Sequence, residues 1–364
     1  MPDFMEDKIA QRLGGRQFGK STAIYKFEKI KRAKAEAARL HPDVPIIDMG
    51  VGEPDQPADP IVVKRLAEEA GKPENRWYSD NGIPEFKQAA VRHLERVYGV
   101  TGLDPETHVV HGIGSKPILA LLPLCFIDPG DVTLQTVPGY PVMATTTSAI
   151  GGQVFKLPLR RENNFLPDFA EIPADIRKRA KLLYINYPNN PTGAVADRAF
   201  FEKVIAFARE ANVVVVQDAA YAALTFDGVK PLSFLSVPGA MEVGVEIHSL
   251  SKAFNMTGWR MAFVAGNPTV VSAFANVKDN NDSGQFRAIQ KAGITALEHP
   301  EITEATAARY GRRHGLLCQA LRDLGFDARK PKASFYCYVP APRGAQGGAV
   351  KFANAEEEIG RAHV

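Results

Sequence analysis

The chain is poor in cysteine, and its few cysteines are scattered. Cys125, Cys318 and Cys337 are odd in number, lie far apart in the sequence and form no CxxC pair. This usage argues against a disulfide framework and against a zinc site, and it is typical of proteins kept in a reducing cytosol. We therefore predict free, buried thiols, no bound metal and a cytoplasmic location.

The chain also lacks a long apolar run and a large surplus of charge. Its longest apolar run, residues 118–127, is too short to span a bilayer and contains Pro123. The first residues are acidic and show no apolar segment of the kind found in signal peptides. The formal net charge of +3 over 364 residues gives no reason to expect nucleic acid or a membrane surface as a partner.

What the chain does contain, from residue 107 onward, is an alternation of short apolar runs and helical stretches. The runs are continuously apolar, as in the four valines 213–216, which is typical of strands covered by helices on both faces. We predict strands at 109–110, 132–137, 181–186, 213–217, 243–249 and 261–265. We predict helices at 25–40, 61–70, 83–97, 115–126, 197–211, 268–278, 286–298 and 301–323. The fold class is therefore α/β, with a mostly parallel sheet covered by helices.

Composition divides the chain into three regions. Residues 1–43 form a polar N-terminal arm with one helix, which we expect to contribute to a small domain. Residues 44–282 form a large α/β domain that opens with a short strand and a glycine turn at 45–54. Residues 283–364 form a smaller α+β domain with a β-rich stretch at 333–340, and this domain reads as truncated at its C-terminal end.

Ligands of such sheets bind at the carboxyl ends of the strands, so the polar residues after each apolar run are candidates. After the strand 109–110 comes a glycine turn that leads into a helix. There Ser115, Lys116 and free backbone N–H groups could hold a phosphate. A glycine turn that binds nothing explains these residues equally well when they are taken alone.

Three more strand ends carry polar side chains. Asn190 lies in a proline-constrained turn, which fits either a rigidly held amide or a plain tight turn. Asp218 follows the four-valine strand, where a carboxylate is costly unless a cation meets it, although it could also cap the next segment. Lys252 and Arg260 follow the strand 243–249 in a stretch that is otherwise small or apolar.

Together these strand ends supply a phosphate site, a buried carboxylate, a phenol at Tyr221, an amide and a lysine. The set matches the functional groups of pyridoxal 5′-phosphate, which offers an aldehyde to the lysine and a pyridine nitrogen to the carboxylate. Its ring oxygen would suit the amide and the phenol. The sequence therefore predicts pyridoxal phosphate as the cofactor.

The order of these residues resembles a known family. Gly-Ser-Lys at 114–116, Asn-Pro-Thr-Gly at 190–193, Asp-x-Ala-Tyr at 218–221 and Ser-x-Ser-Lys at 249–252 look like the class I/II aminotransferases of PLP fold type I. Arg260, eight residues beyond the lysine, matches as well. The resemblance covers nearly the whole chain and implies a seven-stranded, mostly parallel sheet.

Other segments resemble one branch of that family, the LL-diaminopimelate aminotransferases. They are residues 18–20, 24–30, 50–55, 282–286 and 289–292. This branch implies transfer of an amino group between LL-2,6-diaminopimelate and 2-oxoglutarate, giving tetrahydrodipicolinate and L-glutamate, in lysine biosynthesis. The shared motifs leave open an aspartate, aromatic or alanine aminotransferase, or a C–S lyase. A protein that binds pyridoxal phosphate without catalysis is a third interpretation.

The resemblance also implies roles for the site residues. Lys252 would bind the cofactor covalently and move the proton between the substrate Cα and the cofactor, its pKa lowered by burial and by Arg260. Asp218 would pair with the pyridine nitrogen, and Asn190 and Tyr221 would bind the ring oxygen. The ring face and the phosphate would be held by Tyr140, Ser115, Lys116, Ser249, Ser251 and Arg260.

The resemblance further implies a homodimer with shared active sites, because Tyr78 would reach the phosphate of the neighbouring subunit. Gly52 and Asn190 would meet the substrate carboxylate, and amino acids and 2-oxo acids would be the small-molecule partners. The implied substrate contacts are Tyr25, Gly52, Tyr78, Lys116, Tyr140, Asn190 and Asn280.

One residue of the family has no counterpart that we can assign. In the family, an arginine that binds the substrate carboxylate lies beyond a segment like 334–340. The chain ends at Val364, and Arg361 does not stand in the sequence context of that arginine. We expect a chain of this length to keep the cofactor site and to transaminate slowly.

Overall fold

The computed structural model describes residues 4–18, 26–46 and 52–340. Its backbone contacts divide the chain into two compact units, Met1–Val51 and Gly52–Val364. We call them the N-terminal unit and the main unit.

The N-terminal unit holds one α-helix after three short 3-10 turns. The turns are Phe4–Lys8, Gln11–Leu13 and Gly15–Gln17, and the helix, α1, is Lys26–Leu40. The predicted helix at 25–40 is therefore present from Lys26 onward. Of the strand and turn predicted at 45–54, residues 47–51 lie outside the described residues, and the others form no strand.

The main unit is built on one seven-stranded sheet. Its strands are β1 Val109–Gly112, β2 Val132–Val137, β3 Gln153–Pro158, β4 Ala180–Asn186, β5 Val214–Asp218, β6 Gly244–Ser249 and β7 Ala262–Gly266. They lie in the order β1-β7-β6-β5-β4-β2-β3. All neighbouring pairs are parallel except those of β7, which runs antiparallel to β1 and to β6. The carboxyl ends of β1 to β6 therefore share one edge of the sheet.

Helices connect and cover these strands. They are α2 Pro60–Ala70, α3 Pro84–Tyr98, α4 Pro105–His108, α5 Ser115–Phe126, α6 Val142–Ala149, α7 Ala174–Arg179, α8 Arg198–Ala211, α9 Ala240–Val243, α10 Pro268–Asp279, α11 Arg287–Glu298 and α12 Glu301–Asp323. Their first turns are fixed by local chemistry. Asp59 accepts from the Ile61 N–H at 3.0 Å before α2, and Asp197 accepts from the Phe200 N–H at 2.8 Å before α8, so each caps an unpaired donor.

The strands are buried on both faces, as the continuous apolar runs predicted. Leu182 and Tyr184 of β4 belong to the apolar cluster on one face, and Leu183 and Ile185 belong to the cluster on the other. Successive side chains of a strand point to opposite faces, so one run of apolar residues fills both layers. The covered sheet leaves its shared carboxyl edge as the place where polar side chains collect.

The structure departs from the sequence prediction in three places. β3 and α6 were not predicted, and the stretch 333–340, predicted as β-rich, has a single isolated bridge between Thr225 and Ala333. The division into a large domain at 44–282 and a small one at 283–364 stays a prediction. In the described ranges, no helix is long and apolar enough to cross a membrane.

Candidate active site

The candidate site lies at the carboxyl edge of the sheet, where β5 and β6 end side by side. Asp218 is the last residue of β5 and pairs in register with Ile247 of β6. β6 ends two residues later at Ser249, and the turn that follows carries Lys252. Two parallel strands therefore deliver a carboxylate and an amine to the same edge, as the sequence predicted.

Lys252 points into the protein rather than into solvent. Its Nζ donates to the carbonyl oxygen of Gly52 at 2.8 Å and lies 5.6 Å from the centre of the Phe335 ring. Burial lowers the pKa of Lys252; Glu53 opposes this shift and Arg260 adds to it. The direction and both predicted causes agree with the sequence analysis. The amine is thus easier to deprotonate than an exposed lysine.

Asp218 is buried, with 4% of its surface exposed, and it meets only neutral donors among the described residues. The Ala220 N–H donates to its Oδ1 at 3.2 Å, and the Tyr184 hydroxyl donates to its Oδ2 at 3.2 Å. Burial raises the pKa of Asp218 to about 6, although both hydrogen bonds and the charge of Lys252 act in the opposite direction. A cationic partner would lower this cost, because it stabilises the charged carboxylate.

The two predicted donors for a ring oxygen converge on a single oxygen atom. The Tyr221 hydroxyl donates to the Tyr336 hydroxyl at 3.3 Å, and the Asn190 side chain hydrogen-bonds the same hydroxyl. The backbone N–H of Asn190 is held by Asn186 Oδ1 at 2.7 Å, while Asn186 Nδ2 donates to the Asp218 carbonyl at 2.7 Å. The proline-constrained turn is therefore tied to the end of β5, which fixes the amide beside the phenol.

The other end of the site joins the start of α5 to Arg260. Gly114, with φ +83°, precedes α5, and a Cβ added to it would lie 2.1 Å from Nη2 of Arg260. The guanidinium therefore rests directly on the glycine turn at the N-terminus of the helix. Ser115 is the first residue of α5, and the Ser251 N–H donates to Ser249 Oγ at 3.2 Å in the neighbouring turn.

These two ends fit the groups of pyridoxal phosphate. A helix N-terminus with an arginine beside it suits a phosphate, because both offer N–H donors and positive potential. The buried carboxylate of Asp218 without a cationic partner suits a protonated pyridine nitrogen. A partly buried amine with a lowered pKa, Lys252, suits the aldehyde.

The other predicted residues differ in their surroundings. Tyr78 is 77% exposed, and its backbone carbonyl accepts from the guanidinium of Arg287. Asn280 is exposed at the end of α10, where its side chain donates to the Asn276 carbonyl at 3.0 Å. Tyr25 lies outside the described residues. Lys116 is exposed on α5, and Tyr140 is partly buried in the turn before α6.

The sequence analysis did not identify two aromatic residues that line the site, Phe335 and Tyr336, which we call the aromatic wall. Phe335 packs edge-on against Tyr221 with ring centres 5.5 Å apart, and Tyr336 lies against Gly52, where an added Cβ would be 2.0 Å from its hydroxyl. They belong to a segment held by a bond from the Ser334 N–H to the Leu224 carbonyl at 2.8 Å. The aromatic run Phe335-Tyr336-Cys337-Tyr338 was the available signal, but its partners lie more than a hundred residues away.

Comparison with known proteins agrees with this geometry. The family model for aminotransferase class I and II matches residues 44–354. The LL-diaminopimelate aminotransferase of Methanocaldococcus jannaschii is 59% identical over 98% of this chain and 85% of its own length. That of Methanococcus maripaludis is 58% identical over the same shares. Among solved structures, apo BacF from Bacillus subtilis superposes with a TM-score of 0.86 at 37% identity, over 92% of this chain and 84% of BacF.

Proposed function

Since the chain belongs to the aminotransferase class I and II family, we propose that its amino donor is LL-2,6-diaminopimelate. The reaction is a transamination with 2-oxoglutarate as acceptor, which gives tetrahydrodipicolinate and L-glutamate in lysine biosynthesis. The observation that carries the substrate is the 58–59% identity, over 98% of the chain, to two enzymes named for it.

Pyridoxal 5′-phosphate is the cofactor of this family. When bound, it supplies a ring that accepts the electron pair left on the substrate Cα after a proton is removed. Arg260, Ser115, Ser249 and Ser251 would hold its phosphate, with Lys116 near the same helix end. The carboxylate of Asp218 would keep its pyridine nitrogen protonated.

Lys252 is the residue we assign to proton transfer. Burial lowers the pKa of its amine, so the amine loses its proton more readily than an exposed lysine and can then accept the Cα proton at Nζ. The long lysine side chain places Nζ beside Gly52, and from there the amine can pass that proton from the substrate Cα to the cofactor. The aromatic wall of Phe335 and Tyr336 limits access of water to this amine, which preserves the lowered pKa.

We assign substrate recognition to the side of Lys252 on which Gly52 and Asn190 lie. Gly52 and Asn190 would meet the substrate carboxylate, and Tyr140 would cover the cofactor ring. Gly52 has no side chain between its backbone and the pocket, so a carboxylate can approach the N–H closely. Tyr25 would line the same side.

We further propose a cytoplasmic homodimer with shared sites. Trp77, Tyr78 and Phe286 are 56, 77 and 43% exposed, and the Arg287 side chain joins the Tyr78 carbonyl beside them. An exposed aromatic patch of this kind fits a subunit interface. Through it, Tyr78 and Asn280 would enter the neighbouring subunit's site.

A panel of amino donors tests the substrate. The full chain, loaded with pyridoxal phosphate, is given LL-diaminopimelate, glutamate, aspartate, alanine and tyrosine, and conversion of the cofactor is followed by absorbance. We expect LL-diaminopimelate and glutamate to give the highest kcat/KM, and Lys252→Ala to abolish both the cofactor's visible band and turnover. Faster reaction with another donor would reassign the substrate.

If the native chain shows the visible band but no turnover with any donor, it is a protein that binds the cofactor without catalysis. The matched control is Lys230→Ala, which removes an exposed lysine on the loop after β5. This control should leave both the band and the rate unchanged.

A further inference from the structure

Three side chains with metal-binding atoms meet behind the aromatic wall. A ring nitrogen of His314 and the sulfur atoms of Cys318 and Cys337 all lie within 4.8 Å of one another. The three residues are buried, with exposed fractions of 3, 0 and 6%. We call them the thiol–imidazole cluster. Two of the three cysteines that lie far apart in the sequence are thus close together in space.

The cluster joins two elements of the main unit. His314 and Cys318 are four residues apart on α12, so their side chains lie on one face of the helix. Cys337 comes from the irregular segment that begins at Ser334. A helix face therefore offers two ligands, and the neighbouring segment closes the set with a third.

The hydrogen bonding of His314 leaves one ring nitrogen available. Its Nε2 lies 3.2 Å from the carbonyl oxygen of Ser334, which can only accept, so Nε2 carries the proton. Nδ1 is then an acceptor, and it is buried without a partner among the described residues. A histidine that donates one N–H to a backbone carbonyl and keeps the other nitrogen free is the arrangement found in metal ligands.

The sulfur atoms are spaced for a shared ion. Cys318 Sγ and Cys337 Sγ are 3.7 Å apart. Two thiolates on a tetrahedral Zn²⁺, each at about 2.3 Å, are separated by about 3.8 Å. A disulfide would require about 2.05 Å. The observed spacing therefore suits two ligands of one cation without movement of the backbone.

We propose that His314, Cys318 and Cys337 bind a thiophilic cation of the zinc type. Two thiolates and an imidazole are the ligands that Zn²⁺ takes in proteins, and a water molecule would supply the fourth position. The cation ties α12 to the segment that carries Phe335 and Tyr336, and those side chains contact Lys252 and Tyr221. Its role is to hold the aromatic wall in place, and it takes no part in the transfer of the amino group.

Zinc stoichiometry tests the proposal. The full chain is stripped with a chelator, equilibrated with Zn²⁺, dialysed and analysed for metal per chain. We expect one tightly held ion in the native chain and in Cys125→Ser, whose partly exposed thiol lies on α5. Cys318→Ser and Cys337→Ser should each lose it, with affinity at least about 10-fold lower.

A second measurement needs no variant. Cd²⁺ added to the stripped native chain should give the ultraviolet thiolate-to-metal absorption of two sulfur ligands, saturating at one ion per chain. Zn²⁺ should also raise the thermal midpoint of the native chain but not that of Cys318→Ser. Equal zinc in all variants, no zinc in the native chain, or a Cys318–Cys337 disulfide found by thiol titration would each overturn the proposal.

Discussion

At the scale of single residues, the site keeps two ionisable groups away from water. Burial lowers the pKa of Lys252 and raises that of Asp218 to about 6. Both shifts mean that the charged form is costlier in the folded chain than in the unfolded one. The same burial makes the amine a better base, and it favours a cationic partner for the carboxylate.

Asp218→Asn should therefore stabilise the cofactor-free chain. A pKa raised from 3.8 to about 6 gives a stabilising contribution that is present below pH 4 and lost as the pH rises through 6. At pH 8 the charged carboxylate costs about 2–3 kcal/mol, which the amide does not pay. Urea unfolding of the two cofactor-free chains should show this gap at pH 8 and none near pH 4.

The exposed carboxylate of Asp175 provides the control, since Asp175→Asn should change stability by less than about 0.5 kcal/mol at both pH values. In the same preparation Asp218→Asn should bind pyridoxal phosphate more weakly. Equal stability of the native chain and Asp218→Asn at pH 8 would contradict the argument.

Gly52 is constrained by Tyr336 rather than by its backbone angles. A Cβ at this position would lie 2.0 Å from the Tyr336 hydroxyl and 2.7 Å from Cζ, so Gly52→Ala must displace the ring or the backbone that accepts from Lys252. We expect kcat/KM to fall by about 10- to 100-fold, the equivalent of 1–3 kcal/mol of overpacking.

A double-mutant cycle separates this clash from other effects. In a Tyr336→Ala background the ring is absent, and Gly52→Ala should then change kcat/KM by less than about 2-fold. A penalty that stays as large in the Tyr336→Ala background would show that the methyl group acts on something other than Tyr336.

At the scale of secondary-structure elements, the sequence pattern predicted those strands and helices whose ends are set by the local sequence. β2 and the helices α5 and α12 begin and end at the predicted residues, because strong apolar patterns mark them. β3 escaped prediction because it is an edge strand with exposed polar residues, and α6 because its run of threonines has a low helix propensity.

The site shows the same division. Asp218 and Lys252 could be predicted because each follows an apolar strand, and strand ends of a parallel sheet share an edge. Phe335 and Tyr336 could not, because their positions depend on tertiary contacts with residues far away in the sequence, such as Tyr221. The meeting of Cys318 with Cys337 depends on that same segment.

An ion pair joins α12 to the irregular stretch that carries Gly52. Arg313 of α12 binds both carboxylate oxygens of Asp55 at 2.9 and 2.8 Å. The guanidinium lowers the pKa of Asp55 to about 2, so the pair is intact from about pH 4 upward and is lost only as the pH falls towards 2. Both groups are exposed, at 46 and 53%, which limits the effect.

Arg313→Ala should therefore raise KM for the amino donor by about 2- to 5-fold, the upper figure being equivalent to the ~1 kcal/mol upper end for an exposed pair. The rise should be constant between pH 6 and pH 9. Arg312→Ala removes the same charge from the next helix position and should leave KM unchanged. An unchanged KM in Arg313→Ala would show that the ion pair with Asp55 does not affect substrate binding.

At the scale of the whole molecule, the proposed homodimer makes each site dependent on two chains. Tyr78 lies in an exposed aromatic patch with Trp77 and Phe286, and the Ser79 and Asp80 N–H groups bind the Ser283 carbonyl, which joins the loop before α11 to the loop before α3. Backbone hydrogen bonds within the main unit therefore fix the position of this patch.

Hybrid dimers test whether the sites are shared. Lys252→Ala and Tyr78→Ala chains are co-expressed with different tags, and the hybrid is isolated by two affinity steps. If Tyr78 acts across the interface, one of the two sites in the hybrid has a native Lys252 and a native Tyr78 from the partner, and the hybrid should show about half of the native activity. If Tyr78 acts within its own chain, no intact site forms, and the hybrid cannot exceed the Tyr78→Ala parent. Trp77→Ala in place of Tyr78→Ala is the matched control, because it alters the same patch without removing the Tyr78 phenol.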